Sequence, residues 1–396
     1  MPRLRDVIVI GAGPAGMATA ARLLQHGVRD VLVLERQSFP RDKPCGGGLT
    51  GRVDAALAAL GLRLAVPRFA AVETVLRFGA FERRVALPRP VEVIRRLEFD
   101  ASLVEQVRAL GVEIRTGVRV AQLAPGRDAV RLQTADGDEY AARVVIGADG
   151  VASVVRKHLR GRVRRAPHRL FMQELAAPAH DGRLLFDFTP MHAAVRGYAW
   201  VFPLPDGRVN VGVMHCPSIP ADSRHLIAAL RATLERCGLA LPARGAAGWP
   251  LWGFDARAPL AGPRLLTVGD AAGVDALTGE GIAVALEQAQ VAGDAAARAL
   301  AIGDFSFADY ARRLRRAQVG RDLALDRWLA ALLYPAGGGW QPWLGLLLFD
   351  PSVSAWYAAR IAGEPVRRRK LLAAIVRHLP RARARWRGVA EMARAL

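Results

Sequence analysis

The stretch that most constrains this chain is an apolar run that leads directly into a glycine-rich turn. Residues 6–10 read Asp-Val-Ile-Val-Ile, and residues 11–16 read Gly-Ala-Gly-Pro-Ala-Gly. At the spacing Gly-x-Gly-x-x-Gly, Gly11 permits a tight strand-to-helix turn, Gly13 lets a pyrophosphate approach the backbone, and Gly16 lets the helix pack on the strand. The helix start presents N–H groups and a positive dipole end to phosphates. We therefore predict a dinucleotide site formed by Gly11, Gly13, Pro14, Ala15 and Gly16.

A second predicted strand, residues 31–34, strengthens that prediction, because three glycines at this spacing also arise by chance. The strand ends in Glu35 and Arg36, roughly 20 residues beyond the turn. An acidic side chain at this place accepts hydrogen bonds from a ribose diol. The alternative is a solvated carboxylate at a strand end. We predict that Glu35 and Arg36 contact the dinucleotide.

Composition and charge narrow the class of protein. The chain has 396 residues and a net charge of +20, carried almost entirely by arginine. Its first strand begins within a few residues of Met1, which indicates that no signal peptide is present. Apolar runs such as 344–349 are too short to span a bilayer. Three widely spaced cysteines favour a reducing compartment over disulfides or a zinc site. We predict a cytoplasmic protein without a metal.

The pattern of elements predicts an α/β fold in which pieces of the dinucleotide domain are separated by inserted material. Helices are expected over 52–60, 96–110, near 221–238 and over about 281–301, and strands over much of the remainder up to residue 268. The predicted division is a Rossmann-like domain, an interleaved antiparallel-sheet substrate domain and a C-terminal helical region rich in arginine and tryptophan. The Rossmann-like domain comprises residues 1–60, 95–165 and 260–304. The substrate domain comprises residues 61–94 and 166–259, and the C-terminal region comprises residues 305–396.

Two further strand-turn signals accompany the first, Ala148-Asp149-Gly150 and Gly269-Asp270. Together the three resemble the FAD-binding pattern of the flavoprotein superfamily that includes aromatic hydroxylases, flavin halogenases and geranylgeranyl reductases, over residues 1–300. The resemblance implies that Asp270 binds the ribityl chain and that Asp149 and Gly150 lie near the pyrophosphate. Further FAD contacts predicted from it are Arg96, Val120 and Gly269. For Arg96, in Arg-Leu-Glu-Phe-Asp, the alternative is an ion pair with Asp100.

The segment Leu-Thr-Gly-Glu-Gly-Ile, residues 277–282, opens the long predicted helix. Gly279 and Gly281 leave N–H groups bare at a positive dipole end, which stabilises the anion on N1/O2 of a reduced flavin. We therefore predict that Gly279, Gly281 and Ile282 contact the cofactor. The alternative is an ordinary capping box built on Thr278.

Two motifs narrow the resemblance to geranylgeranyl reductases. Residues 43–49, Lys-Pro-Cys-Gly-Gly-Gly-Leu, resemble the Pro-Cys-Gly-Gly element of that family, and residues 198–203, Tyr-Ala-Trp-Val-Phe-Pro, resemble its Tyr-x-Trp-x-Phe-Pro signature. Strand alternation places the three aromatic rings on one face, where they form either a wall for a long apolar chain or an ordinary core face. The predicted cofactor contacts here are Cys45, Gly46 and Gly47. The predicted substrate contacts are Tyr198, Trp200, Phe202 and Pro203.

Several residues depart from the motifs of these families, and the departures help to discriminate between reductases, hydroxylases and halogenases. Ala276 replaces the usual proline before Leu-Thr-Gly-Glu-Gly, and Leu204 stands where lysine is common after Phe-Pro. Gly273 replaces the histidine of the hydroxylase motif Gly-Asp-Ala-Ala-His. No lysine lies between Lys43 and Lys157, and tyrosine stands in place of the first tryptophan of the halogenase motif. The hydroxylase and halogenase interpretations are both weakened.

The resemblance implies an FAD-dependent reductase of isoprenoid C=C bonds, with NADPH or reduced ferredoxin as external electron donor and an electron-donor protein as a partner. The residues predicted to act in catalysis are Cys45, Tyr198 and Trp200. For Cys45, beside Lys43, we expect a proton donor, or alternatively a small residue that packs a tight loop. A flavin monooxygenase on the same fold is the alternative function.

The C-terminal region combines apolar and aromatic residues with basic clusters. We expect a partner surface that binds the inner face of an anionic membrane, with nucleic acid as the less favoured alternative. The oligomeric state stays open. The residues concerned are Trp340, Trp343, 344–349, Trp356, Tyr357, 367–370, Arg377 and 381–387.

Overall fold

Sixteen strands and ten helices make up the described part of this computed structural model, which covers residues 2–161, 167–177, 180–243, 245–364, 373, 375–377 and 386. The strands are β1 (Leu4–Ile10), β2 (Val31–Leu34), β3 (Gly48–Leu49), β4 (Phe69–Phe78), β5 (Phe81–Val93), β6 (Glu113–Arg115), β7 (Val120–Pro125), β8 (Val130–Thr134), β9 (Glu139–Gly147), β10 (His168–Ala176), β11 (Leu184–Asp187), β12 (Gly197–Pro203), β13 (Arg208–His215), β14 (Ala247–Leu251), β15 (Ala261–Gly262) and β16 (Leu265–Thr267). The helices are α1 (Pro14–Gln25), α2 (Arg52–Ala59), α3 (Arg96–Ala109), α4 (Val154–Arg160), α5 (Ser223–Arg236), α6 (Ile282–Ile302), α7 (Tyr310–Arg316), α8 (Gln318–Leu333), α9 (Gln341–Phe349) and α10 (Pro351–Ile361).

The first sheet is parallel at its centre and has the order β15-β16-β9-β1-β2-β6. In register, Ile10 lies beside Leu34 and Gly147, and Gly147 lies beside Thr267. The carboxyl ends of four parallel strands therefore meet at one edge of the sheet, where ligands of doubly wound folds bind. The β7–β8 hairpin joins this sheet through the antiparallel pairing of β8 with β9.

The second sheet has the order β14-β10-β13-β12-β11-β4-β5-β3. Its strands come from the two segments predicted to form the substrate domain, except for β3. The prediction of an antiparallel sheet is correct for all pairs but one, because β11 runs parallel to β4, with Leu184 beside Thr74. The β4–β5 hairpin comes from a separate segment, so hairpin connections between consecutive strands do not set its direction relative to β11.

Helices α1 and α6 pack together against the first sheet; Gly16 allows α1 to approach the end of β1, and Gly293 allows α6 to approach α1. A Cβ atom on Gly16 would lie 1.8 Å from the carbonyl oxygen of Gly11, and one on Gly293 would lie 2.6 Å from the side chain of Arg22. The steric role predicted for Gly16, packing of the helix on the strand, is confirmed.

The C-terminal helices pack on the second sheet, which corrects one prediction. Trp340 and Tyr357 are less than 10% exposed and Leu344 is fully buried, in one core cluster with Phe78 and Val93. The prediction that these apolar side chains form a partner surface is therefore wrong, since α9 and α10 bury them against the sheet. Trp343 and Trp356 are partly buried against the same cluster.

Most of the basic residues predicted to form this surface lie outside the described part of the structure. Arg377 is exposed, whereas residues 367–370 and 381–385 lie outside the described residues, as does Arg387. Within the described part of the chain, no helix is long and apolar enough to cross a membrane.

Candidate cofactor and substrate site

One cavity of about 1020 Å³ extends from the β1–α1 turn to the aromatic face of β12. Most residues predicted for the site line it: Gly11, Gly13, Pro14, Ala15, Glu35, Arg36, Cys45, Gly46, Gly47, Arg96, Val120, Asp149, Gly150, Tyr198, Trp200, Phe202, Gly269, Asp270, Gly279, Gly281 and Ile282. Two predicted contacts do not: Gly16 lies beneath the turn, and Pro203 pairs with Val209 within the sheet. The single cavity thus joins the predicted dinucleotide residues to the predicted substrate residues.

The β1–α1 turn has the geometry of an anion cradle. Gly11 has a φ of +101°, and a Cβ there would lie 2.4 Å from the carbonyl oxygen of Ala148. Gly13 caps α1 without a side-chain hydrogen bond, and the first turn of the helix holds no acidic residue. The N–H groups and positive dipole end of α1 are therefore free to meet a pyrophosphate.

Glu35 is held beside this turn and is not the solvated carboxylate considered as the alternative. It is 5% exposed, and its two oxygens accept hydrogen bonds from the N–H groups of Ala12 (2.9 Å) and Gln37 (3.0 Å). Arg41 lies 3.5 Å away. Each carboxylate oxygen has a further lone pair, so the group can still accept a hydrogen bond from a ribose hydroxyl.

Asp149 offers an unsatisfied acceptor at the same end of the cavity. Its Oδ2 accepts a hydrogen bond from the N–H of Val154 (2.8 Å), while its buried Oδ1 has no partner. Burial raises the pKa of Asp149 to about 6, against the opposing effect of Ser153 and Val154. A buried oxygen without a donor fits a ligand that brings an O–H or N–H group.

Asp270 follows β16 and faces a cation. Lys43 Nζ lies 2.7 Å from its Oδ2. Burial alone would raise the pKa of Asp270, but Lys43 and then Arg96 outweigh it and hold the pKa below its usual value. A carboxylate that stays ionised is a strong acceptor for the hydroxyls of a polyol chain.

Arg96 both forms the ion pair with Asp100 and lies at the cavity wall, where it was predicted to contact FAD. Its Nε and Nη2 each lie 2.7 Å from an oxygen of Asp100, and its side chain also lines the cavity. Arg41 donates to the same carboxylate at 3.1 Å. Burial opposes the charge of Arg96, but the pairing with Asp100 raises its pKa well above the usual value. The ion pair therefore fixes a permanent cation at the cavity wall.

The start of α6 is open, as expected, and is not a capping box. Gly281 caps the helix without a side-chain hydrogen bond. Thr278 instead donates its hydroxyl to Asp275, which also accepts hydrogen bonds from the N–H groups of Leu277 (2.7 Å) and Thr278 (2.9 Å). Segment 275–281 is thereby folded around one buried carboxylate, with the helix N-terminus towards the cavity.

A buried ion cluster behind this segment was missed by the sequence analysis. Glu280 accepts a hydrogen bond from Thr50 (2.6 Å) and lies 3.5 Å from Arg52 and 3.4 Å from Arg360. Arg360 is also paired with Asp326, which is fully buried. These five residues come from four separate segments, so no local pattern in the sequence could reveal the cluster.

The aromatic face of β12 forms the other end of the cavity. Tyr198, Trp200 and Phe202 alternate along the strand as predicted, and each is less than 10% exposed. Phe186 of β11 lies 5.1 Å from the Tyr198 ring and 5.2 Å from the Phe202 ring. A Cβ on Gly212 would lie 2.2 Å from the Trp200 ring, so the indole lies directly on the backbone of β13. The wall is both a core face and a cavity lining.

Residues 44–48, which we call the glycine loop, lie between the two ends. Cys45 is partly exposed, and its Sγ accepts a hydrogen bond from the N–H of Gly47 at 3.5 Å. Gly47 has a φ of +74°, and a Cβ there would lie 2.1 Å from the carbonyl oxygen of Ile94. Asn210, a residue that the sequence analysis did not single out, donates to the Cys45 carbonyl.

The residues around the cavity fit FAD: a helix N-terminus for the pyrophosphate, buried carboxylates for hydroxyls and a second helix N-terminus at the far end.

Comparisons with known proteins agree that the chain binds FAD. A family model described as FAD binding domain matches residues 5–302. A menaquinone reductase of Mycobacterium tuberculosis is 33% identical over 317 residues, which cover 73% of this chain and 76% of that protein.

Two further similarities point in the same direction. A digeranylgeranylglycerophospholipid reductase of Methanopyrus kandleri is 31% identical over 343 residues, covering 82% of this chain and 85% of that protein. The crystal structure of a geranylgeranyl bacteriochlorophyll reductase-like protein from Thermoplasma acidophilum superimposes with a TM-score of 0.72 at 19% identity, covering 99% of this chain and 100% of that one. This structural likeness confirms the predicted fold class.

Proposed function

This chain belongs to the FAD-binding domain family. From that premise we propose that it is an FAD-dependent reductase that saturates C=C bonds in the isoprenoid chain of a lipid, a quinone or a pigment precursor. The observation that carries the proposal is the single cavity that joins the dinucleotide cradle to the aromatic wall. The reductase names of the two relatives support it.

The wall suits a long apolar chain because it offers rings and few polar atoms. Besides Tyr198, Trp200 and Phe202, the apolar residues Leu170, Leu184 and Met214 line the cavity. Each CH₂ of a polyprenyl chain buried there contributes about 0.8 kcal/mol to binding. The same residues exclude water from the reacting bond, which strengthens the electrostatic interactions of the helix N-termini.

Saturation of a C=C bond requires a hydride at one carbon and a proton at the other. When bound, reduced FAD supplies the hydride. We assign the proton to the Cys45 thiol, which lines the cavity and accepts only one long hydrogen bond. The two electrons come from an external donor. This donor is either the nicotinamide nucleotide NADPH or the protein ferredoxin in its reduced form.

In this proposal Tyr198 and Trp200 hold loops in place through hydrogen bonds and do not transfer protons. The Tyr198 hydroxyl donates to the carbonyl oxygen of Thr278, and burial raises the pKa of Tyr198 well above its usual value. The hydroxyl therefore keeps its proton and holds segment 275–281 against the wall. Trp200 is tied to the glycine loop through Asn210.

A lipidic substrate implies contact with a membrane surface. We propose peripheral binding at the inner face, driven by the net charge of +20 rather than by the buried aromatic residues. Co-sedimentation with anionic and with neutral vesicles tests this point. Equal binding to both kinds, or to neither, would contradict it.

The decisive experiment is anaerobic. The purified protein, with its flavin reduced by dithionite, is mixed with geranylgeranyl-chain lipids or an isoprenoid quinone, and flavin reoxidation is followed together with the mass of the lipid. Reoxidation with a gain of hydrogen mass in multiples of H₂ is the expected result. A quinone reduced only in its ring also gains H₂, so fragmentation of the isolated product must place the added hydrogen in the isoprenoid tail.

The alternative is a flavin monooxygenase on the same fold. A flavin that stays reduced with every lipid until oxygen is admitted, and a product that then gains the mass of one oxygen atom, would replace our proposal by that alternative.

A further inference from the structure

Asn210 of β13 is the only asparagine among the 396 residues of this chain. It is 2% exposed, and its side chain joins two parts of the site. Its Oδ1 accepts a hydrogen bond from the indole Nε1–H of Trp200 at 2.9 Å, and its Nδ2 donates to the carbonyl oxygen of Cys45 at 2.8 Å. The residue type that the chain otherwise does without therefore connects the aromatic wall to the glycine loop.

The two partners of Asn210 determine which side chain fits between them. An indole N–H can only donate, and a backbone carbonyl can only accept. A bridge of this length needs an acceptor and a donor on one planar group, which the amide provides. An ionised aspartate of the same shape would accept from Trp200 but would place a second acceptor against the Cys45 carbonyl. The hydrogen bond to Trp200 is buried and the one to Cys45 is partly buried, so an unmade one costs about 1–3 kcal/mol, with the lower end for the bond to Cys45.

The neighbouring tethers of the glycine loop act on other residues. Lys43, which directly precedes the loop, is bound through its side chain to Asp270, and within the loop the carbonyl of Gly47 accepts a hydrogen bond from the N–H of Ile94 at 3.0 Å. Asn210 acts on the backbone of Cys45 itself. Gly46 adds contact with the wall, since a Cβ there would lie 3.4 Å from both the Trp200 and the Phe202 rings.

We propose that Asn210 is a positioning residue, which sets the Cys45 thiol at the junction between the FAD end and the apolar end of the cavity. Its effect on the positioning of Cys45 depends only on the contacts above. Its effect on turnover rests on the proposed function, in which Cys45 supplies the proton.

The test uses the FAD-loaded protein with Cys237 replaced by serine, because Cys237 is partly exposed whereas Cys216 is buried. The rate of Cys45 modification by a dipyridyl disulfide, which reacts at pH 5 as well as at pH 8, is measured for the parent and for Asn210→Asp. The ratio of the two rates at each pH removes only the pH dependence that the two proteins and the reagent share. The added carboxylate disfavours the thiolate, which slows modification, so an acceleration at pH 8 reports release of Cys45. At pH 8 we expect Asn210→Asp to react about tenfold faster, because the carboxylate releases Cys45.

At pH 5 the ratio should return towards one. A protonated carboxyl donates to the Cys45 carbonyl and accepts from Trp200, as the amide does. The matched control is Thr74→Val, which removes a buried hydrogen bond to the carbonyl of Leu184 in the same sheet and does not contact the loop. It should give a ratio of one at both pH values.

The proposal is overturned if Asn210→Asp reacts like the parent at pH 8 while binding FAD normally, or if Thr74→Val accelerates the reaction equally. Should Asn210→Asp fail to fold, Trp200→Phe tests the same bridge from its other end. It removes the indole donor and should accelerate modification by a smaller factor, about threefold, and an unchanged rate contradicts the proposal.

Turnover separates this inference from the proposed function. If isoprenoid reduction occurs, Asn210→Asp should lower kcat at pH 8 with little change in KM and recover as the pH falls. If no isoprenoid is reduced but the modification ratios are as expected, the positioning role stands and the proposed function fails.

Discussion

The two ends of the cavity are built in opposite ways. The dinucleotide end is built mainly by the first 35 residues, where a strand, a glycine turn, a helix and a second strand follow one another without interruption, and Ala148 and Asp149 after β9 complete it. The reaction end brings together the glycine loop, segment 275–281, strands β12 and β13 and helix α10. The first depends on close backbone contacts at the β1–α1 turn, whereas the second depends on single polar side chains that join distant segments.

The two ends are therefore sensitive to different kinds of substitution. At the dinucleotide end the contacts involve backbone atoms that cannot yield, so a single added methyl group is disruptive. At the reaction end each tether is one hydrogen bond or ion pair, so the loss of one is graded and leaves the cofactor cradle intact. The predictions below test this contrast.

The largest effect is expected for Gly16→Val. Its Cβ would lie 1.8 Å from the Gly11 carbonyl oxygen, so α1 must move away from β1 and the pyrophosphate cradle is lost. Purified protein should carry no FAD, as measured by absorbance at 450 nm relative to protein. Gly338→Ala, at a glycine with nothing within 4 Å, is the control and should retain full FAD content. A yellow Gly16→Val protein would contradict the steric role.

The next effect is expected for Arg360→Met in the ion cluster. It leaves Glu280 and Asp326 without their shared cation in a buried site, and the free energy of unfolding at pH 8 should fall by about 3–5 kcal/mol. Urea denaturation measures this loss. Arg313→Met, in an exposed pair with Asp309, should cost no more than about 0.5 kcal/mol. FAD content should stay close to that of the parent, which distinguishes this variant from Gly16→Val.

A smaller, pH-dependent effect is expected at Asp326. Burial, assisted by Asp275, outweighs Arg360 and raises the pKa of Asp326 to about 7 in the folded protein, against about 3.9 when unfolded. Between these values the folded state binds more protons, so this carboxyl makes the protein less stable as the pH rises from 4 to 7, with no further change above 7.

Asp326→Asn should remove that slope. The difference in unfolding free energy between wild type and Asp326→Asn should decrease from pH 4 to pH 7 and then stay constant. A difference that instead grows as the pH rises through about 4 and stays constant above about 5 would show that the pairing with Arg360 dominates and lowers the pKa of Asp326.

The smallest effect is expected for Tyr198→Phe, which removes the hydroxyl bound to Thr278 and keeps the ring. One neutral hydrogen bond contributes about 1 kcal/mol, and the Thr278 carbonyl is left without this donor. We expect a loss of that size in unfolding free energy, a several-fold lower rate of flavin reoxidation by substrate and an unchanged Kd for FAD. A weaker Kd would mean that the two ends are not independent.

The sequence predicted most of the fold but less of the site. Strand Val31–Leu34 and helix Arg96–Ala109 follow local patterns, and the structure has them within one residue of the predicted limits. The burial of Trp340 was not predicted, because an apolar stretch looks the same whether it packs inward or binds a partner.

Asn210 and Arg360 were missed for a different reason. Asn210 bonds to Cys45, 165 residues away, and Arg360 bonds to Glu280, 80 residues away, and no periodicity in a sequence records contacts over such distances. For Asn210 one signal was available, its status as the sole asparagine. For Arg360 none was, because arginine is abundant throughout the chain.

The place of Arg360 and Ile361 in the cavity wall has a consequence for synthesis of the protein. The segments predicted to form the FAD-binding domain are complete once residue 304 has been added, roughly 60 residues before the wall is. At a translation rate of roughly 5–20 residues per second, this gap lasts about 3–12 s. On the proposed function, a nascent chain can therefore take up its cofactor while the apolar half of its cavity still lacks a side, and it becomes able to retain a lipid only afterwards.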